Sequence, residues 1–122
     1  MSIDTATGDA ASALIPLSAA ARTAYQATYD TAQLAMQKTA DPALLQSLED
    51  SRLNAAAVLS RDNEYRIQAN DLTYKALATQ INKTNDSLKM LQGQIAGIAK
   101  TIKEFADVAD GISTALTLVP RI

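Results

Sequence analysis

The side chains able to do chemistry are few and of limited type. Histidine and cysteine are both absent from the 122 residues. That removes the Ser-His-Asp triad, the thiolate nucleophile, the disulfide and the ordinary zinc site. Carboxylates, lysines and tyrosines remain. Glu104, Asp107 and Asp110 stand three apart and could offer oxygens to a cation. On a helix, however, such oxygens do not converge as those of a calcium loop do, and the group reads as a solvated acidic face. Lys83, Lys89, Lys100 and Lys103 are interleaved with acids and lack aromatic residues on which bases could stack. The net charge of −2 gives no field to gather nucleic acid. Asn82-Lys83-Thr84 and Asn85-Asp86-Ser87 match the glycosylation acceptor pattern, but both fall inside a predicted helix. With no Gly-rich phosphate loop either, the expectation is no catalytic residue, no metal, no cofactor and no enzyme.

The function must then lie in the elements themselves. Apolar residues make up 48% of the chain but aromatic ones only 4%, so a core has to be built from Ala, Leu and Ile, which favours helices over sheets. Residues 1–13 are rich in Ser, Thr, Asp and Ala and read as a flexible arm, and residues 14–122 as a single helical coiled-coil domain. Beyond Pro16, Leu17, Ala21, Ala24, Thr28, Thr31 and Ala35 recur at spacings of four and three, widened by Tyr25, Ala32 and Met36. This first helix should end near Thr39, because Asp41-Pro42 combines a cap with a favoured first helical residue. Leu45, Leu48, Ala55 and Leu59 give a second helix its apolar face, interrupted by Arg52. Ser60-Arg61-Asp62-Asn63 is the first candidate for a following turn, and Asn70-Asp71 the second.

The strongest signal is a seam of thirteen positions: Leu77, Ile81, Thr84, Leu88, Leu91, Ile95, Ile98, Ile102, Phe105, Ala109, Ile112, Leu116 and Val119. Its alternation of four and three is that of a coiled coil. The phase shifts between about 59 and 67, through either a turn that opens a third helix or a stutter within one helix. As one helix the seam would run about 65 Å, against about 33 Å and 27 Å for the two helices before it. About half of it would then be left over. Leaving Ile98, Ile102, Phe105, Ile112 and Leu116 in water forgoes about 1.5 to 3 kcal/mol each, so a second copy or another helical protein is expected to cover them.

Several residues qualify that seam. Ala78, Ala99, Ala106 and Val108 flank it and broaden the stripe toward a bundle of three or more helices. Thr84 could fix the register or bond its own backbone. Gly93 and Gly97, four apart on the outer face, are candidates for close approach by another backbone; the plainer reading is a softened, solvated helix.

The fold class expected is therefore all-α: two or three helices with a long C-terminal coiled-coil-type helix, in a hairpin or bundle completed by oligomerisation. The expected function is structural self-assembly, as a subunit of a helical oligomer or filament whose partner is itself. In composition, the Ser/Thr/Ala arm and long C-terminal helix resemble filament and rod subunits exported by bacterial secretion machines without a cleaved signal. Two alternatives stand beside this: a membrane-active toxin component in which Ile95 to Val119 lies on a membrane surface, and a small adaptor that pairs its helix with another helical protein. No cleavable signal peptide or spanning helix is read, which implies a cytoplasmic location or a signal-less export route.

Overall fold

The computed structural model describes residues 14–122, which include four α-helices and no strand. Helix α1 is Ala19–Ala35, α2 is Pro42–Ile67, α3 is Asp71–Ile95 and α4 is Lys103–Leu118, with short 3₁₀ turns at Met36–Lys38 and Ile98–Lys100. Three of the four starts are fixed by local chemistry. The Ser18 hydroxyl accepts from the Ala21 N–H at 3.1 Å, and the Asp41 carboxylate from the Ala43 N–H at 3.1 Å with Pro42 as first helical residue. Asn70 accepts from the Thr73 N–H at 2.9 Å while the Thr73 hydroxyl accepts from the Asn70 N–H at 3.1 Å, a reciprocal capping box. Helix α4 differs: it follows an extended Ile102 and has no side-chain cap.

The helices form a ring in which α1 packs between α2 and α4, α2 meets α3, and α3 meets α4 more sparingly. Each chain neighbour runs antiparallel to the last: Leu17 meets Asp62 and Tyr29 meets Arg52, Ser51 meets Ser87 and Asn54 meets Thr84, and Asn85 meets Val119 and Gln92 meets Ser113. The core follows four-and-three periodicity on every helix. It takes Ala21, Ala24, Tyr25, Thr28, Ala32 and Ala35 from α1, and Leu44, Leu48, Ser51, Ala55, Val58 and Asp62 from α2. From α3 come Leu77, Ile81, Thr84, Asn85, Leu88, Leu91 and Ile95, and from α4 Phe105, Val108, Gly111, Ile112 and Ala115. The expected all-α bundle is present. The arm expected over residues 1–13 lies outside the described residues.

Three details of the expectation change. Residues 60–63 are helical, and the turn falls at 68–70, where Asn70 caps. The physical reason is Asp62: it is fully buried, and its carboxylate accepts from the Leu17 N–H at 2.8 Å, from Arg66 Nε at 2.8 Å and from Arg22 Nη1. A polar residue taken for a turn is thus an interior anchor that holds the chain entering α1. The α2 stripe is centred one residue earlier than Leu45 and Leu59, on Leu44 and Val58. Finally, the run from Leu77 to Val119 is two helices joined by a reversal at 96–102, not one long helix. Folding back buries Phe105, Val108, Ile112 and Val119 within the chain, a gross gain of about 6 to 12 kcal/mol before the entropy of ordering. The surplus of uncovered seam inferred from one long helix does not arise, because α4 covers α1 and is covered in return.

Replacing Asp62 tests the anchor. Asp62→Ala leaves the Leu17 N–H without its acceptor and two guanidinium groups without their carboxylate, with an expected loss of about 2 to 3 kcal/mol in urea unfolding. Asp62→Asn keeps an acceptor for Leu17 and should lose about 1 kcal/mol. Equal, negligible losses for both would show that the buried carboxylate does not anchor the bundle.

Candidate functional site

The residues singled out as an association seam divide between interior and turn. Leu77, Ile81, Leu88, Leu91 and Ile95 on α3, with Phe105, Ile112 and Val119 toward the C-terminus, are buried in the chain's own core. Ile98, Ile102 and Leu116 are partly buried against it. Within α4 the buried set is Phe105, Val108, Gly111, Ile112 and Ala115, followed by Val119 just past its end, so Val108 and Ala115 take the places expected of Ala109 and Leu116. The helix restarts at Lys103 and presents a slightly rotated face to α1.

Gly93 and Gly97 are exposed, and a Cβ at either would meet no atom within 4 Å. The glycine that brings two helices of this chain together is Gly111. A Cβ there would lie 3.2 Å from Thr28 Oγ1 and 3.5 Å from the Thr28 backbone nitrogen. Thr28 turns its own hydroxyl to the Ala24 carbonyl at 2.9 Å, which leaves α4 room to approach. Thr84 bonds across helices: its hydroxyl donates to the Asn54 carbonyl at 3.1 Å and accepts from Gln80 Nε2 at 3.0 Å, fixing α3 against α2.

A second buried polar link ties three helical segments together. The Tyr25 hydroxyl donates to Asn85 Oδ1 at 2.9 Å, and Asn85 Nδ2 donates to the Val119 carbonyl at 2.6 Å. The C-terminus is fastened beside it, with Asn82 bonded to both the nitrogen and the oxygen of Ile122 and Arg121 paired to Asp86 at 2.7 Å. Removal from water pushes the Tyr25 hydroxyl well above the ordinary tyrosine range, and the Asn85 hydrogen bond offsets only part of that rise. Among the described residues, every buried side-chain nitrogen or oxygen has a hydrogen-bond partner, across helices for Asp62, Thr84, Tyr25 and Asn85 and within its own helix for Thr28.

The outer surface carries what the interior does not use. An open groove of about 570 Å³ runs between α1 and α4, with Ala20, Ala24, Ala27, Gly111 and Thr114 along it, Leu118 on its wall and Asp107 and Asp110 at its edge. Glu104, Asp107 and Asp110 do not converge into a metal-holding group, and Asp107 instead receives Lys103 Nζ at 2.8 Å. At the α2–α3 end, Ile67 and Leu72 are 86% and 78% exposed on either side of the capped turn. Leu34, Leu53 and Met90 are also exposed. Among the described residues, no helix is long and apolar enough to cross a membrane. The class defined by the described residues is an all-α bundle of four helices. No family model, curated protein or solved structure matches the chain.

The raised Tyr25 hydroxyl gives a pH dependence of known sign. Its folded-state pKa lies above the unfolded value of about 10, so its stabilisation is complete below that pH. Stability should fall as the pH rises past about 10, because the unfolded chain ionises this hydroxyl first. Tyr25→Phe should remove that part of the alkaline loss while costing about 1 to 2 kcal/mol at neutral pH, since Asn85 Oδ1 loses its donor. Unfolding curves of both proteins between pH 7 and 11 check it; identical alkaline slopes would contradict the assignment.

Proposed function

We propose that this chain is a structural helical protein that works by associating with copies of itself, as a subunit of a helical oligomer or filament. The observation that carries the reading is the groove between α1 and α4. Small residues along it would let a further helix approach closely, as they do where Gly111 meets Thr28. Leu118 supplies an apolar contact and the acids at its edge a polar rim. The exposed Ile67 and Leu72 support a second contact, end to end, of the kind a filament needs.

Light scattering after size-exclusion chromatography over a concentration series, with negative-stain imaging of the same fractions, tests the reading. Discrete oligomers or filaments are expected. Ala27→Arg in the groove should weaken association at least about tenfold, whereas Lys89→Ala, on an exposed position of α3, should leave it unchanged. A monomer at every concentration would contradict the proposal, and a partner drawn only from another protein would assign the groove to an adaptor.

A further inference from the structure

Among the described connections, the reversal between α3 and α4 is the one whose following helix starts without a side-chain cap. It contains no residue at positive φ, and Ala96 and Gly97 are already in the right-handed helical region, at φ −53°, ψ −41° and φ −73°, ψ −40°. Residues 98–100 are in a 3₁₀ turn, Thr101 lies at φ −125°, ψ −21°, and the direction changes at Ile102, at φ −116°, ψ 116°. The α2–α3 turn is locked by a capping box, but α4 starts with no cap. Rotation at Thr101 and Ile102 into helical values, with a small relaxation of the 3₁₀ turn, would join α3 and α4 into one helix.

The amino-acid pattern fits that joined helix as well as it fits the folded-back one. Ile95, Ile98, Ile102 and Phe105 keep the four-and-three alternation through the reversal itself, after which the buried face of α4 shifts by one residue, to Val108 and Ala115. A turn alone does not require such phase continuity. In a lone molecule straightening would strip α4 from α1 and expose Phe105, Val108, Ile112 and Ala115. A second copy removes that penalty, because its own α4 can occupy the vacated place on α1 and restore the helix–helix contacts there, those of the hinge residues 96–102 excepted. Gly111 would meet the partner copy's α1, and the Asn85, Asn82 and Asp86 bonds to the C-terminal residues would form between chains.

We infer that the chain forms a dimer by exchanging α4 between two copies, with residues 96–102 as the hinge and Ile98 and Ile102 of the two straightened helices packed together where they cross. The inference rests on the self-association reading and supplies its first step, after which exchanged dimers associate through the groove that Ala27 lines. It makes the dimer interface the bundle's own core, so no separate complementary surface has to be present for the first step of assembly.

Two substitutions separate the forms. Lys103 is the first residue of α4, where a helix leaves its N–H without an intrahelical partner, and Ile102 before it has the extended backbone that precedes proline. Lys103→Pro is therefore compatible with the folded-back monomer but would break a continuous helix, and should lower dimer formation more than about 100-fold while helical content stays unchanged. Thr101→Ala, at an exposed hinge position, favours helix about threefold at each hinge and should raise the dimer constant about tenfold. Gly93→Ala lies within α3 in either form and should leave the constant unchanged.

Chain exchange itself is read by a short bis-maleimide on Gln92→Cys/Ser113→Cys, positions whose side chains meet at 3.3 Å across α3 and α4. The monomer fraction should give links within one chain, and the dimer fraction links between chains. A dimer fraction linked only within chains, or a Lys103→Pro protein that dimerises normally, overturns the exchange and leaves self-association by the outer surface standing. No oligomer of any kind, in the parent chain or in Thr101→Ala, overturns both.

Discussion

The constraint on which the molecule depends is the need to cover the apolar run from Leu77 to Val119. The chain meets it by reversing direction after Ile95 and laying α4 along α1. That single choice determines much else. It places Gly111 against Thr28, where a larger side chain would separate the helices, and brings the Val119 carbonyl to Asn85. It also leaves Ile98 and Ile102 half-covered at the bundle's end.

Apolar packing of small and branched side chains does not by itself select one register, and here buried polar groups supply the selection. Asp62 fixes the entry to α1, Thr84 fixes α3 on α2, and Tyr25 with Asn85 fixes α1, α3 and the end of α4. Each group would be costly to bury without its partner, so helix slippage by a turn is penalised more steeply than loss of a methyl contact would be. The surface has no such closure. Its groove and exposed apolar side chains are where association can act without disturbing the core.

Much of the architecture was legible in residue spacing. The α1 stripe and the Asp41-Pro42 start correspond to features of the bundle, while the change of phase expected between 59 and 67 falls later, at the 68–70 turn that ends α2. What periodicity could not report was direction. A helix that continues and one that folds back can carry the same four-and-three pattern, and no proline or left-handed glycine marks residues 96–102. Asp62 was misread because a charged residue in a polar cluster suggests a turn. Its position in the progression Leu44, Leu48, Ser51, Ala55, Val58, Asp62 was the signal that it faces inward. Asn85, beside Thr84, is likewise interior because the α3 stripe is two residues wide there. The groove was not legible, since it is formed by helices that are distant in sequence.

The most direct test of the central claim is the distance between α3 and α4 in a single molecule. Spin labels at Lys89 and Thr117, both exposed, can be measured by double electron–electron resonance in dilute solution. A chain that folds back at 96–102 predicts one short distance of about 10 to 25 Å, set by the spacing of neighbouring helices plus the label arms. A distance near about 42 Å in the isolated monomer would mean a continuous helix of 28 residues between the labels, and would contradict the account.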